Sequence, residues 1–433
     1  MSANFLFFIS FGMILLERTS RYFFVSCLTE DQANLGSLVF VSALYRHGDR
    51  TPVTSYPTDP YNNVSYWPVG WGQLTNIGKC QHYELGQWLR QRYSKLIPEA
   101  YSPEDIYVRS TDVDRTLMSA ASNLAGLYPP EGDQKWNRNI DWQPIPIHTV
   151  PEKMDEILAG KRPCAQYEAE LLRVKTSPEV RRYNEEHADL YRYTSEQSGN
   201  KIHDAESLEF LYNTLFIEEL YNFTLPNWTK KVFPEQMMSV ASYSFTIPAK
   251  TKLLQRLKIG PLVGQVISHM MQKREGIMKP DYKLTVYSAH DTTVANFLMA
   301  LGVFDPQSPP YTSLVLVELW KNDHEEFQVR VLYRNSTKFR PYNLAIPGCA
   351  AVCPLEKFAD LLKPVIPVNW EKECKMGIFS DDFAFNSLAI LALMVNCILA
   401  VLLVFSVVFG IAYWRKQKVS SGYCYHQLRQ DID

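Results

Sequence analysis

The run Leu38-Val39-Phe40-Val41-Ser42-Ala43-Leu44-Tyr45 is apolar at odd and even positions alike, and it stops at Arg46-His47-Gly48-Asp49-Arg50-Thr51-Pro52. Side chains of a strand alternate between two faces, so a strand without a polar face must be covered on both. That demands a layered α/β fold with helices on either side of a largely parallel sheet. Gly48 and Pro52 end the strand. In such sheets ligands sit beyond the carboxyl ends of the strands, which puts Arg46, His47 and Arg50 where a site is expected.

The residue types narrow the chemistry. Arginine stays charged and binds oxyanions through a bidentate fork, and two of them neutralise roughly the two charges of a phosphomonoester. A neutral imidazole between them has a lone pair that can attack phosphorus. A surface cap or ion pair accounts for Arg46-His47-Gly48 alone, but the longer string through Arg50 and Pro52 favours a phosphate site.

Two further stretches repeat the geometry. Tyr282-Lys283-Leu284-Thr285-Val286-Tyr287-Ser288 reads as a strand, and Ala289-His290-Asp291-Thr292-Thr293 leads from it into a helical pattern, Val294 to Leu301. Backbone N–H groups at a helix start point at an anion, yet Asp291 is also a good N-cap, so site and cap compete there. Tyr107-Val108-Arg109-Ser110-Thr111-Asp112-Val113-Asp114-Arg115-Thr116 gives a short strand and a polar turn before a helix over Leu117 to Gly126. Either arginine can serve an anion or pair with Asp112 or Asp114.

Together these strings resemble the histidine acid phosphatases, and within that family they are similar to the lysosomal and prostatic types. The resemblance runs from about Leu38 to Cys374 and includes Trp71-Gly72-Gln73-Leu74-Thr75, Gln81-His82-Tyr83-Glu84-Leu85-Gly86, Pro129-Pro130-Glu131-Gly132, Asn222-Phe223-Thr224-Leu225-Pro226 and Pro347-Gly348-Cys349. It implies His47 as the nucleophile that forms a phosphohistidine, with Arg46, Arg50, Arg115 and His290 holding the phosphoryl oxygens and Asp291 giving a proton to the leaving alcohol. Arg109 is the weaker of the two candidate arginines for the phosphate role. The fold implied is phosphoglycerate-mutase-like: a mixed, mostly parallel sheet flanked by helices, with a helical cap insertion. The implied substrates are small phosphomonoesters, and a homodimer is implied as well.

Phosphoryl transfer mainly needs in-line placement and stabilisation of charge on three equatorial oxygens, which guanidinium groups supply without a metal. The nine histidines are scattered, with no His-Glu-x-x-His spacing and no nucleotide-type phosphate loop, so no metal and no cofactor is expected. Asp291 must be protonated to donate, whereas neighbouring arginines favour its carboxylate. An acidic pH optimum is the expected result.

A net charge of −2 gives no basic footprint, so nucleic acid is not an expected partner. The stretch from Leu388 to Ala412 carries no charge, and a bilayer core needs about 20 such residues. Residues 387–414 are therefore expected to form one C-terminal transmembrane helix. Arg415-Lys416-Gln417-Lys418 follows it, and Asp381 and Asp382 precede it, which by the positive-inside rule puts residues 415–433 in the cytosol and the enzyme in a lumen. The tail carries Tyr425-His426-Gln427-Leu428, similar to tyrosine-based signals read by sorting adaptors on the way to lysosomes, and Cys424 beside it is a palmitoylation candidate. A lysosomal membrane location is expected, with the cell surface or release after cleavage as alternatives.

Residues 1–33 read as a signal peptide or leader, with an apolar stretch from Phe5 to Leu16 but no basic segment before it. Residues 34–375 form the expected lumenal domain, with an α/β core over 34–155 and 250–375 and a helical insertion over 156–249; residues 376–386 read as a stalk. Helices over Gln166–Val174 and Ala205–Tyr221 have amphipathic spacing. In an oxidising lumen, Cys349 and Cys353 are spaced for a small local loop, and the family resemblance adds Cys164 with Cys374. Cys80 is left unpaired, as a half-buried helix residue. Acceptor triplets for glycosylation lie at Asn63, Asn222, Asn227 and Asn335. Two other functional readings stay open: a specialised lipid, sugar or inositol phosphate phosphatase, and a non-catalytic membrane receptor on the same fold.

Overall fold

The computed structural model describes residues 35–337, 339–375 and 381–430. The expected leader lies outside them, as do residues 376–380 of the expected stalk. Two compact units divide at Cys374.

Seven strands make one sheet in the first unit: β1 (Ser37–Arg46), β2 (Ile106–Ser110), β3 (Leu284–Ala289), β4 (Leu314–Lys321), β5 (Phe327–Arg334), β6 (Tyr342–Leu344) and β7 (Val352–Pro354). Their order is β2-β3-β1-β4-β5-β6, with β7 also on β5. The mixed sheet is present, with a different balance from the mostly parallel one expected. Strand β3 is parallel to both β1 and β2, while β1–β4, β4–β5, β5–β6 and β5–β7 are antiparallel. The cause is local, because β4 and β5 are joined by a tight hairpin in which the Asn322 side chain accepts the His324 and Glu326 N–H groups. A loop that short can join only antiparallel strands.

Strand β1 is buried on both faces, as its composition requires. Val41, Ala43 and Tyr45 pack with Leu85 and Leu89 of α1 (Asn76–Arg92) and Leu124 and Leu127 of α2 (Asp114–Leu127). Helix α2 starts three residues earlier than Leu117, with the carboxylate of Asp114 in a first turn whose dipole favours it. Helices α3 (Ala165–Lys175), α4 (Pro178–Glu186), α5 (Ala188–Ser198), α6 (Ala205–Leu220) and α7 (Glu235–Ser244) follow as the helical insertion. Their own core joins Tyr191, Leu208, Leu211, Leu215, Met237 and Val240 to Tyr56 from the segment after the catalytic motif. Phe40 and Leu44 face the other way, onto residues that include Leu262 and Val266 of α9 (Gly260–Glu275), which follows α8 (Lys252–Lys258). Phe297 of α10 (Asp291–Ala300) and Phe358 of α11 (Leu355–Leu362) complete that layer. Each large side chain so buried contributes roughly 1.5–3 kcal/mol.

One close approach sets the start of the loop after β1. A Cβ on Gly48 would lie 2.4 Å from the Gly78 carbonyl oxygen, and one on Gly78 would lie 2.3 Å from the Asp49 carbonyl oxygen. The loop after β1 therefore packs backbone to backbone against the first turn of α1, which only glycine permits. Cys80 is on α1 but exposed, not half-buried, because it points away from that contact and from the sheet.

Cys349 is bonded to Cys353, and Cys164 to Cys374 across 210 residues. Cys374 follows the short helix α12 (Trp370–Glu373), so the long bridge ties the end of the unit to the first helix of the insertion. The second unit holds α13 (Asp381–Gln430), in which Leu391–Lys416 is long and apolar enough to cross a membrane. Tyr425 to Leu428 fall within that helix, but their side chains lie outside the described ones. Closing the 210-residue loop between Cys164 and Cys374 contributes about 5 kcal/mol in the chain-entropy model. Cys164→Ser with Cys374→Ser should therefore lower the denaturation midpoint by several degrees, whereas Cys80→Ser should leave it unchanged; thermal melts of the three proteins check both.

Candidate active site

Parallel register brings the candidate site residues together. Arg46 is opposite Ala289 and Ser110 is opposite Ser288, so β1, β2 and β3 end at one level and His47, Thr111 and His290 leave the sheet side by side. The His47 N–H donates to the Ala289 carbonyl at 2.9 Å and the Thr111 N–H to the Ser288 carbonyl at 3.1 Å, which pins two of the exits.

The ring of His47 is 2% exposed, and its Nδ1 lies 2.8 Å from the Gly48 carbonyl oxygen. A carbonyl only accepts, so Nδ1 carries the proton and Nε2 carries the lone pair. Burial, with Arg46, His290, Arg115 and Arg50 nearby, pushes the pKa of His47 well below 6.5. The neutral form of the imidazole is thus strongly favoured. His290 stands edge to face with it, ring centroids 5.6 Å apart. Arg115 Nη2 is 3.4 Å from His290 Nδ1, and since arginine only donates, His290 Nε2–H is the donor to Thr111 Oγ1 at 3.0 Å. Burial and Arg115 bring His290 down to about 3.

Arg46, Arg50 and Arg115 surround the imidazoles. Arg46 pairs with Asp291 at 2.8 Å, donates to the Pro309 carbonyl at 2.5 Å and stacks 4.3 Å over the Tyr311 ring. Arg50 donates to Asn213 Oδ1 on α6 at 2.9 Å. Desolvation and the charges of Arg50 and Arg46 lower Arg115 to about 10, so it is still a cation at any working pH. The Nε atoms of Arg46, Arg50 and Arg115 are buried without a protein partner. A buried unpaired donor costs about 1–3 kcal/mol, which an anion in the cavity would offset.

Asp291 is the first residue of α10, and its Oδ1 accepts the Thr292 N–H at 2.7 Å. It does not cap: His290 holds the N-cap position, without a side-chain cap bond. Burial pushes the Asp291 carboxyl up, but Arg46, Arg50 and His290 outweigh it and hold the group below the usual carboxylate range. A cavity of about 600 Å³ joins His47, Arg50, Arg115, His290 and Asp291 to an outer wall with Leu158, Tyr167, Leu171, Phe245 and Ile247.

Arg109 is elsewhere. It bonds Asp155 at 2.6 Å in the interior, and Asp155 also takes the Ile157, Leu158 and Ala159 N–H groups. Asp112 and Asp114, the partners conceivable from spacing, are exposed. Several site residues escape sequence reasoning: Tyr311, Asn213, Tyr221, which donates to Asp49 at 2.8 Å, and Ser119, which accepts the Gly48 N–H at 3.1 Å. Tyr311 had one signal, the turn Pro309-Pro310, since an antiparallel neighbour of β1 must begin where β1 ends.

The family model for the histidine phosphatase superfamily, branch 2, matches residues 37–334, a span that contains both imidazoles and all three guanidinium groups. This chain is a branch 2 histidine phosphatase. Members of that superfamily work through a covalent phosphohistidine. Lysosomal acid phosphatase of Xenopus laevis is 42% identical over 347 residues, 79% of this chain and 80% of that one. Prostatic acid phosphatase of Homo sapiens is 43% identical over 343 residues, 78% of this chain and 88% of that one. The apo form of Hafnia alvei phytase superposes with a TM-score of 0.59 at 18% identity, over 78% of this chain and 98% of that one, which shows a shared fold. This histidine phosphatase is a hydrolase by family, and its relatives are acid phosphatases.

The two arginines of the second motif should respond oppositely to loss of charge. Arg109→Met strands the buried Asp155 and should cost about 3–5 kcal/mol of stability. Arg115→Met removes a cation from a cluster of like charge and should raise the melting temperature of the ligand-free protein while weakening inhibition by inorganic phosphate. Thermal melts and phosphate inhibition constants measured on both variants check the pair.

Proposed function

We propose that this chain hydrolyses phosphate monoesters in an acidic lumen, with His47 as nucleophile and Asp291 as proton donor. The observation that carries the reading is the tautomer of His47, whose bond from Nδ1 to Gly48 leaves Nε2 unprotonated among Arg50, Arg115 and His290. Nε2 attacks phosphorus as the ester P–O bond breaks, and the alcohol departs with the proton of Asp291. Water then attacks the phosphohistidine, gives its proton back to Asp291, and phosphate leaves with His47 neutral again. Arg46, Arg50, Arg115 and His290 stabilise the equatorial oxygens. Part-apolar lining beyond them supports an organic alcohol as the leaving group.

Asp291 needs a proton at the moment of transfer, although its pair with Arg46 favours the carboxylate. A bound phosphate dianion corrects this by drawing the Arg46 guanidinium to itself and by placing negative charge beside the carboxyl. Both effects raise the pKa, so the bound ester prepares its own acid. Activity then falls as pH rises through the complexed Asp291 value.

An acidic compartment agrees with relatives named as lysosomal and with a C-terminal helix able to cross a membrane. Arg415 and Lys416 at the end of its apolar stretch favour a cytosolic tail, where Tyr425 to Leu428 would meet sorting adaptors. Of the acceptor asparagines, Asn63, Asn222 and Asn227 are exposed and Asn335 is half-buried.

Rapid-quench labelling should trap phosphate on the wild-type chain and none on His47→Ala, whose turnover should drop to background; equal turnover in that variant ends the covalent reading. Asp291→Ala should lose about 10²–10⁴-fold in kcat on alkyl phosphates and less on nitrophenyl phosphate, whose leaving group needs no proton. Its alkaline limb in kcat should flatten as well. Endoglycosidase should shift the mass of the protein made in animal cells, and the shift should shrink when Asn63, Asn222 and Asn227 become glutamine.

A further inference from the structure

Helix α6 presents three acids toward the catalytic cavity, and two are already engaged. Asp204 caps the helix through the Ser207 N–H at 2.8 Å, and Glu206 is bound to Lys175 at 2.6 Å. Glu209, one turn further on, lines the same cavity as His47 and Asp291 and makes no hydrogen bond or ion pair to a protein group among the described residues. It lies four residues before Asn213, which holds Arg50, so it is on the face of α6 turned to the phosphate cradle.

We propose that Glu209 sets specificity on the leaving-group side: as a carboxylate it rejects phosphomonoesters whose alcohol carries a second anionic group, and as a neutral acid it admits them. The inference rests on the phosphatase reading above. The charged groups nearest in effect to Glu209 stand after β1, at the start of α10 and on α6 itself, and the cavity wall also carries Lys161, Glu168, Lys258 and Lys175, the last held by Glu206. Asp291 at the start of α10 repels its charge, Arg50 and Arg46 after β1 attract it, and Glu206 on its own helix repels it. Across the cavity Arg115 is a cation, His290 titrates at about 3, and burial with the nearby cations favours neutral His47. Burial is the largest influence and, with Asp291, pushes Glu209 up to about 7. The acid is therefore neutral at pH 5 and becomes a carboxylate as the pH rises through neutrality. A second phosphate entering the cavity meets a hydrogen-bonding carboxyl in the first case and a like charge at short range in the second.

The matched pair fructose 6-phosphate and fructose 1,6-bisphosphate tests this, with kcat/KM for phosphate release measured at pH 5 and pH 7.5. In the wild-type full chain the preference for the monophosphate should rise about tenfold between the two pH values. In Glu209→Gln and in Glu209→Ala the preference should rise markedly less, by only what the ionisation of the two esters contributes. That contribution cancels between the proteins, because all three meet the same two esters. A preference that rises equally in the variants, or that does not rise in the wild type, overturns the role of Glu209 and leaves the phosphatase reading intact. Absence of monophosphate turnover in the wild type at pH 5 instead removes both.

Discussion

Parallel pairing of β3 with β1 and β2 is the constraint on which the site depends. Registers of Arg46 with Ala289 and Ser110 with Ser288 end three strands at one level, although more than 170 residues separate the second of these pairs in sequence. Backbone ladders set that level more rigidly than side-chain contacts can, because a slip of one residue turns every side chain to the other face. With β1 apolar on both faces, such a slip would break two hydrophobic layers at once. The stability of the core is therefore what aligns the two imidazoles.

Electrostatics works against the same arrangement. Arg46, Arg50 and Arg115 gather around two neutral imidazoles with Asp291 as their close counter-charge. Scaffold interactions hold the cluster in place. Gly48 and Gly78 let the loop after β1 sit on α1, Ser119 takes the Gly48 N–H, and His82 lies 3.1 Å from the Arg46 carbonyl oxygen. From the insertion, Asn213 holds Arg50 and Tyr221 holds Asp49, so α6 is both roof and brace. Strain of this kind belongs at a site whose ligand brings the missing charge.

Much of this was legible beforehand, and the failures have causes. The string Arg46 to Pro52 and the pair His290-Asp291 could be read because strand ends and phosphate chemistry both leave local marks. Residue pattern alone could not separate Arg109 from Arg115, which only the family resemblance ranked, since the choice depends on Asp155, 46 residues away from Arg109. The sense of β4 and β5 was missed because apolar strands look alike whichever way they run. Cys80 was misplaced because its helix periodicity does not say which face the catalytic loop will cover. Asn213, Tyr311 and Glu209 carry no motif at all and act only through position.

Composition and pattern alone determined that β1 would be buried on both sides, that Arg46, His47 and Arg50 would follow it directly, and that an uncharged stretch from Leu388 to Ala412 would be long enough to span a bilayer. These are properties of neighbouring residues, so no partner in space is needed to read them. Tertiary structure decided which arginine lines the cavity and which is tied to Asp155, which nitrogen of His47 keeps its lone pair and which cavity-lining acid of α6 is left without a hydrogen-bond partner among the described residues. Each of those depends on the distance and burial of groups brought together only by the sheet, and the energy of a charge or a proton is set by such surroundings.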